Sequence, residues 1–337
     1  METYFFDTHQ DIADALLLGS HGDFWKRNGL HDGWNDLNLP VNNQSDFVRL
    51  QEGNVKAIFG VSCAIGVAED GTIIPCPNHL HDTLEQINVY HRLVREGNGK
   101  VSIITSKDDL STISDTGVSF LLTIEGADSI DDELVYLDTY FNLGVRCIGL
   151  TWSYNNGLAG GCSEDGELTT RGENTIRRME ELGILLDLSH INEKSGYQAL
   201  EVSTKPVIVS HTAAKSVYDH ERNFTDDQMK AVAKTGGAVG ICAVPKFIGI
   251  EGKVGLSDVV EHIKYTVDLV DIDHVILGTD FGAMTAKQLM SDFAEVSDMP
   301  DLTKALITAG FSESDIDKIA HGNIERVLSE TLPHANQ

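Results

Sequence analysis

Short apolar runs alternate with amphipathic segments along the whole chain, and this alternation predicts strands and helices in turn. Eight of the runs are continuously apolar, as expected for strands that are covered on both faces. They predict parallel strands over residues 4–8, 55–63, 118–124, 145–151, 184–189, 206–210, 237–243 and 274–279. A further run, 101–105, predicts an accessory strand.

Between these strands, apolar residues recur at helical spacing. A capping-box pattern from Thr225 to Gln228 opens one such segment, and Gly183 follows the end of another. The pattern predicts one helix beginning after Thr225 and others over residues 83–96, 130–142, 174–182, 258–270, 302–309, 313–320 and 323–331. Repeated strand–helix units of this kind predict a parallel sheet.

Eight such units predict a closed (β/α)8, or TIM, barrel. The alternative is an open doubly wound sheet, which hydrophobic periodicity alone does not distinguish from a barrel. A GxGxxG sequence after the first strand would favour the open sheet, and the chain has none there. We therefore predict one barrel domain over residues 1–337, with loop insertions near 14–44 and 64–82 and a C-terminal helical segment.

The chain is strongly acidic, which argues against two classes of partner. It has 52 Asp and Glu against 25 Lys and Arg, a formal net charge of −27. Nucleic acids and anionic membrane surfaces require basic patches, so we expect neither as a partner. Hydrophobic residues make up 41% of the chain, enough for a large core, yet no apolar run is long enough to span a bilayer.

The cysteines and the N-terminus indicate the compartment. Five cysteines, an odd number with wide spacing and no CxxC pair, argue against a disulfide framework and favour reduced thiols. The N-terminus lacks the basic and apolar regions of a signal peptide. Together these features predict a soluble cytoplasmic protein.

Candidate functional residues lie at the carboxyl ends of the predicted strands, where barrel enzymes place their active sites. His9 and Asp11 follow the first strand, and residues two apart in an extended chain point the same way. Glu125 follows the third strand, where a buried carboxylate needs an ion pair or a metal. In isolation, an HxD triplet is weak evidence, and an ion pair with Arg or Lys explains such a glutamate equally well.

Three further strand ends carry His190, His211 and Asp280. A single histidine at such a position is more often a hydrogen-bonded core residue than a ligand, but five occupied strand ends out of eight make that explanation poor for the set. Three histidines with two or three carboxylates suit zinc, and they are too many for one four-coordinate ion. The set predicts two ions bridged by a carboxylate.

Two adjacent ions would supply hydrolytic chemistry. A water held between them would be a metal-bridging hydroxide near neutral pH, and the ions would polarise a scissile carbonyl. A carboxylate on the last strand can take the proton of that hydroxide and later pass it to a leaving amine.

The chain resembles the membrane dipeptidase family (renal dipeptidase-like, peptidase M19) of the amidohydrolase superfamily, in the form of a soluble bacterial-type member. The resemblance extends from Asp7 to Asn323, and the order and spacing of its motifs make it specific. The motifs are Asp7-Thr8-His9-Gln10-Asp11, Ile124-Glu125-Gly126, Leu143-Gly144-Val145-Arg146, Asp187-Leu188-Ser189-His190, Val209-Ser210-His211, Arg222-Asn223, Gly278-Thr279-Asp280-Phe281 and Gly322-Asn323.

The resemblance implies a dinuclear centre with two divalent ions, expected to be Zn²⁺. His9 and Asp11 would bind one ion, and His190 and His211 would bind the other. Glu125 would bridge both ions, in the place where many superfamily members use a carbamylated lysine.

The resemblance also implies the substrate and the remaining roles. Asp280 would be the general acid and base, and Arg222 would hold the C-terminal carboxylate, a bidentate task that suits a guanidinium. The family hydrolyses dipeptides and often accepts a D-residue at the C-terminal side, so L-Xaa-D-Xaa substrates are expected. The animal enzymes end the fourth strand with a substrate-contacting His, whereas this chain has Trp152 there. We take Trp152 as a candidate pocket wall, because its indole N–H only donates hydrogen bonds.

Two alternatives to a dipeptidase stay open. An N-acyl amino acid deacylase, or another amide or lactone hydrolase, would use the same dinuclear site, because specificity lies in the loops. A non-catalytic binding protein would keep the barrel without turnover, although the complete ligand set argues against it. The sequence also leaves open whether the chain forms a homodimer.

Overall fold

The computed structural model describes residues 3–17, 22–30, 33–34, 40–41, 43–67, 73–76, 78–113, 117–130, 134–282, 284 and 289–335. Eight parallel strands form a nearly closed barrel, which confirms the predicted fold. Each strand pairs with the next along the chain. The strands are β1 Phe5–Gln10, β2 Val55–Cys63, β3 Val118–Glu125, β4 Val145–Gly149, β5 Leu185–Asp187, β6 Val207–Thr212, β7 Ala238–Ile241 and β8 Val275–Leu277.

The predicted accessory strand is also present. Val101–Ile103 lies beside β3 and pairs with it in parallel, outside the eight-strand order. β5 and β8 end two residues earlier than predicted, at Asp187 and Leu277, because the chain leaves the sheet before it reaches His190 and Asp280.

Helices connect the strands largely as predicted. The capping box is confirmed: the Thr225 hydroxyl accepts a hydrogen bond from the Gln228 amide, and the Gln228 side chain accepts from the Thr225 amide. Left-handed Gly183, with φ +75°, ends another helix as expected. The predicted helices span His79–Glu96, Val135–Asn142, Thr170–Leu182, Asp226–Lys234, Leu256–Val270, Met299–Thr308, Glu313–Asp317 and Asn323–Thr331, and a π-helical turn, Lys318–Gly322, links the last two.

One predicted helix begins later than expected, and one connecting helix was not predicted. The helix predicted from residue 130 begins at Val135, because Leu134 has the left-handed φ of 59° and cannot continue a right-handed helix. Helix Glu193–Val202 was not predicted. It buries mainly the small residues Ser195, Gly196 and Ala199, so its inner face gives little hydrophobic periodicity.

The predicted insertions lie partly outside the described residues. Within 14–44 the structure describes the end of helix Ile12–Leu17 and an antiparallel pair, Gly33–Trp34 with Pro40–Val41. Within 64–82 it describes a second antiparallel pair, Ile65–Val67 with Ile73–Pro75. Short helices Phe47–Glu52 and Pro245–Ile248 and 3₁₀ turns Lys107–Thr112, Ile272–His274 and Val296–Asp298 complete the described elements.

The two ends of the barrel differ in polarity. Its inner base is apolar and takes at least one side chain from every strand, and the C-terminal helix Asn323–Thr331 packs against it. The inward-facing residues are Phe6, Ala57, Phe59, Leu121, Cys147, Leu185, Ile208, Ala238 and Ile276. The carboxyl ends of the strands carry the polar candidates instead.

The helices and the cysteines bear on two further expectations from the sequence. Among the described residues, no helix is both long enough and apolar enough to cross a membrane. All five cysteines are free thiols, and four of them are buried.

A buried carboxylate holds the seam where β8 returns to β1. Asp7 is fully buried and accepts hydrogen bonds from the Thr279 amide at 2.8 Å, the Thr279 hydroxyl at 2.5 Å and the Gln10 side chain at 2.7 Å. Backbone bonds from Asp280 N to His9 O and from Asp11 N to the carbonyl of residue 281 continue the seam. The seam therefore fixes the strand ends that carry three candidate ligands.

We expect Asp7→Ala to destabilise the fold, because it leaves the amide and hydroxyl of Thr279 without their buried acceptor. The free energy of unfolding should fall by about 2–4 kcal/mol in urea titrations with chelator present, so that metal binding makes no contribution. The control Asp268→Ala removes an exposed carboxylate paired with Lys264 and should cost less than about 1 kcal/mol. Equal midpoints for the two variants would contradict this role for Asp7.

Candidate metal centre

The structure brings all six predicted catalytic and metal-site residues to the carboxyl end of the barrel. Asp11 directly follows β1, and His190 and Asp280 each lie three residues beyond the ends of β5 and β8. The other three, His9, Glu125 and His211, lie within the last residues of β1, β3 and β6. Every one of them is buried except Asp280, which is partly buried.

The Glu125 carboxylate lies at the centre of the group. Its Oε1 is 2.8 Å from His190 Nε2, 3.4 Å from His211 Nε2 and 3.6 Å from His9 Nε2. His190 Nε2 and His211 Nε2 are themselves 3.0 Å apart. One carboxylate oxygen therefore faces imidazole nitrogens from three different strands.

A second set of donors shares His9. Its Nε2 lies 3.8 Å from Asp11 Oδ2 and 3.7 Å from Asp280 Oδ1. Two groups of ligand atoms, each within 4.8 Å of one another, are thus present among the described residues: His9 with Glu125 and His211, and His9 with Asp11 and Asp280.

Backbone conformation contributes to this convergence. His190 and Asp280 have φ values of 65° and 66°, in the left-handed region that non-glycine residues adopt at a cost of about 1–3 kcal/mol. Gly126, with φ +80°, follows Glu125, and a Cβ there would lie 3.2 Å from the Trp152 amide nitrogen. These turns aim side chains into the barrel mouth immediately after the strands end.

Burial and neighbouring charges shift the pKa values of all three carboxylates. Burial, together with the negative charges of Glu125 and Asp280, raises the pKa of Asp11 well above its usual range. Burial also raises the pKa of Asp280. Burial opposes ionisation of Glu125, but the adjacent His9 and His190 hold its pKa well below the usual range.

Two of the histidines, His190 and His211, are favoured in their neutral form. Burial and the positive charge of Arg222 lower the pKa of His190 to about 4, and burial lowers that of His211 well below its usual range. The Ser153 hydroxyl lies 3.0 Å from His190 Nδ1, and the Ser210 hydroxyl lies 2.9 Å from His211 Nδ1. A hydroxyl that accepts from Nδ1 leaves the Nε2 lone pair directed at Glu125, where a cation would take it.

The two serines are positioning residues that the sequence analysis missed. Ser210 also donates to Asp187, a buried carboxylate that accepts from the amides of Ser189 and Ser210 at 2.9 and 2.8 Å. The available signal was the Ser-His pair in each of two motifs. That signal identifies Ser210 correctly but points to Ser189 instead of Ser153 for His190.

The donors present fit a divalent cation. Asp11 Oδ2, which lies 3.8 Å from His9 Nε2, is buried and has no hydrogen-bond partner in the part of the chain that the structure describes. Imidazole nitrogens and carboxylate oxygens in this number are the ligands of zinc and similar ions. A cation would also relieve the repulsion among the three carboxylates.

Arg222 lies beside this group with unused donors. It is 3% exposed, and its Nη2 donates to the carbonyl oxygen of His211 at 2.9 Å. Its Nε and Nη1 are buried and have no partner among the described residues. A buried guanidinium with two free donors is suited to bind an anionic group.

Trp152 follows β4 and covers one of the histidines. Its indole ring stacks on the His190 ring, with 5.4 Å between centroids and 21° between planes. It therefore lies next to the candidate metal centre, and its role as the wall of a substrate pocket stays a prediction.

Comparison with known proteins identifies the family. The model of the membrane dipeptidase family, peptidase family M19, matches residues 2–337. The chain belongs to the membrane dipeptidase family. Membership confirms the predicted enzyme class, a hydrolase of the metallo-dipeptidase type, and implies a divalent metal.

Individual relatives agree with this assignment. Dipeptidase aclJ of Aspergillus oryzae is 31% identical over 95% of this chain and 79% of its own length. An uncharacterized dipeptidase of Schizosaccharomyces pombe is 30% identical over 96% of this chain and 80% of its own. The fold matches a metallopeptidase from Rhodobacter sphaeroides, solved with a phosphinate mimic of the dipeptide L-Ala-D-Ala, with a TM-score of 0.86, 23% identity and coverage of 98% and 100% of the two chains.

We expect metal removal to lower thermal stability, because a cation that binds only the native donors stabilises the fold by about 2.7 kcal/mol at one hundred times its Kd. Chelation should lower the Tm in scanning calorimetry, and added zinc should restore it. Glu125→Gln should reduce the zinc-dependent shift, whereas Glu261→Gln, an exposed control on helix Leu256–Val270, should keep it in full. Identical Tm values for chelated and zinc-treated protein would show that no native metal site exists.

Proposed function

We propose that this centre binds two zinc ions and hydrolyses dipeptides, including those of the L-Xaa-D-Xaa type. The observation that supports it most is the Glu125 carboxylate, which lies within 3.6 Å of imidazoles from three strands beside a buried Arg222 with free donors. The first feature suits a bridging ligand, and the second suits a substrate that ends in a carboxylate.

The proposed ligand sets are those that the family resemblance implies, and they overlap the two donor groups only in part. His9 and Asp11 would hold one ion, His190 and His211 the other, and Glu125 both. When bound, the ions supply an activated water and polarise the scissile carbonyl. His190 and His211 suit this role because both are kept neutral by burial and each has its second nitrogen occupied by a serine hydroxyl.

Arg222 would set the position of the scissile bond relative to the C-terminus of the substrate. Its guanidinium is fixed by the bond to the carbonyl oxygen of His211, itself a proposed ligand. A carboxylate bound there is held close to the centre, so the scissile bond must lie one residue from the C-terminus. The buried position of the two free donors also penalises a substrate that leaves them unpaired.

Asp280 is the carboxylate best placed to move a proton. Its side chain is 13% exposed, against 9% for Glu125 and 7% for Asp11, so it is the one most open to the barrel mouth. We propose that it takes the proton of the attacking water and passes it to the amine of the departing residue.

An N-acyl amino acid would present the same carboxylate to Arg222, so a deacylase would use the same site. The substrate's free amine separates the two activities. Loss of turnover on blocking the amine of the dipeptide supports a dipeptidase, and retained turnover of acyl substrates would support the deacylase.

We also propose that the chain acts as one barrel domain in a reducing cytoplasm. Five free thiols, including the partly exposed Cys162, suit such a compartment. Fractionation of the native protein in its own cells would test the location.

Asp280→Asn should abolish turnover of L-Ala-D-Ala while zinc stays bound, because the amide cannot exchange the proton. We expect kcat to fall at least about a hundredfold, with about two zinc ions per chain in both parent and variant by elemental analysis. Asp301→Asn, on the exposed face of helix Met299–Thr308, is the matched control and should keep full activity. Two bound ions without turnover by the parent would instead indicate that the substrate is another amide.

Arg222→Met should remove recognition of the substrate's carboxylate. We expect kcat/KM for L-Ala-D-Ala to fall about ten- to a hundredfold, and the value for its C-terminal amide to change little. Arg177→Met, which removes an exposed guanidinium paired with Glu173, should change neither. An equal loss on both substrates would show that Arg222 supports the fold of the site and does not bind the C-terminal carboxylate of the substrate.

A further inference from the structure

A small cavity lies beside the metal centre on the side of β2, β3 and β4. Its volume is about 60 Å³, and its walls include Ile65, His79, Asp128, Trp152 and Tyr154. These residues follow the carboxyl ends of β2, β3 and β4 or, for His79, begin the helix His79–Glu96. None of them belongs to the proposed ligand set.

The cavity and the centre share Trp152 as a wall. One face of the indole stacks on His190, whose Nε2 is 2.8 Å from Glu125 Oε1, and the same residue lines the cavity. A Cβ at Gly126 would meet the Trp152 amide at 3.2 Å and Asp128 Oδ2 at 3.3 Å. Two of the cavity walls therefore lie close to the residue that directly follows Glu125, with no room for a side chain there.

The cavity and Arg222 lie on opposite sides of the metal centre. Arg222 follows β6, and its guanidinium lies 5.8 Å from the ring of Phe247, which follows β7. The cavity lies across the barrel mouth, at β2 to β4. A dipeptide with its carboxylate on Arg222 and its scissile carbonyl at the centre must project its N-terminal residue towards the cavity.

We propose that this cavity receives the side chain of the substrate's N-terminal residue and that Trp152 restricts that side chain to a small one. The inference rests on the proposed dipeptidase function and deepens it. A cavity of about 150 Å³ can hold a six-carbon ring, so a cavity of about 60 Å³ suits the side chain of Ala or Ser better than that of Leu or Phe.

The polar walls fit a hydroxyl as well as a methyl group. His79 Nδ1 is buried without a hydrogen-bond partner among the described residues. Asp128 accepts a bond from the Asn156 side chain at 3.3 Å, which holds its carboxylate at the cavity wall. Serine at the N-terminal position is therefore accepted as well as alanine, whereas a larger apolar side chain would have to displace the Trp152 indole.

The test varies one substrate residue at a time. With zinc-loaded protein, kcat/KM is measured for L-Xaa-D-Ala, where Xaa is Ala, Ser, Leu or Phe. The parent should prefer Ala and Ser over Leu by at least about tenfold, and Trp152→Ala should reduce that preference at least about tenfold. A second series, L-Ala-D-Xaa, should keep its preferences in the variant within about threefold.

Binding provides a readout that does not depend on turnover. Phosphinate mimics of L-Ala-D-Ala and L-Leu-D-Ala are titrated calorimetrically into parent and variant, and the ratio of their Kd values should follow the kinetic ratio. Trp152→Phe, which keeps a ring over His190, should give an intermediate ratio. If Trp152→Ala loses zinc, the ratio for Trp152→Phe tests the subsite in its place. Trp25→Phe, at an indole packed against Phe24 and Phe47 far from the centre, should leave every ratio unchanged.

The outcomes separate the inference from the function on which it rests. Turnover by the parent with no change of N-terminal preference in either Trp152 variant would overturn the subsite alone. A change confined to the L-Ala-D-Xaa series would overturn the proposed orientation of the substrate. Failure of the zinc-loaded parent to bind or cleave any of these dipeptides would overturn the dipeptidase function and the subsite with it.

Discussion

The site depends on one interaction: the buried Glu125 carboxylate held among imidazoles at the mouth of the barrel. A carboxylate so placed is costly unless positive charge or hydrogen-bond donors surround it. The imidazoles come from β1, β6 and the loop after β5, which are far apart in sequence and meet only because the sheet closes, and a cation bound among them would supply the positive charge. Closure of the barrel therefore brings together the residues of the candidate metal centre.

Two other buried carboxylates hold the strand ends that present the ligands. Asp7 joins β1 to the residue after β8, and Asp187 joins β5 to β6 through the amides of Ser189 and Ser210. Each accepts both a backbone amide and a hydroxyl from the strand or loop beside it. The ligands follow closely: His9 lies two residues after Asp7, and His190 three after Asp187. These bonds fix the positions from which the left-handed turns at His190 and Asp280 begin.

The barrel separates stability from chemistry. Its base is filled by apolar side chains from all eight strands and covered by the C-terminal helix. The mouth gathers carboxylates whose mutual repulsion a divalent cation would relieve. Stability supplied at the base allows the mouth to retain strained backbone and crowded charge that would otherwise favour unfolding.

The sequence by itself determined the strands, the barrel and the six candidate residues, because continuous apolar runs and the polar residues that end them are local features. It also identified Arg222 and the position of Trp152 through motif order.

Helix Glu193–Val202 was not predicted because its buried face consists of small residues. Another helix is shorter than predicted because Leu134 has a left-handed φ angle, which no hydrophobic pattern reveals. Only the tertiary structure decided which serine supports His190, since Ser153 reaches it from another strand end. The pairing of Trp152 with His190, the free donors of Arg222 and the cavity beside β2 to β4 also depend on contacts between residues distant in sequence. Such contacts exist only after closure of the sheet sets the distances between strand ends.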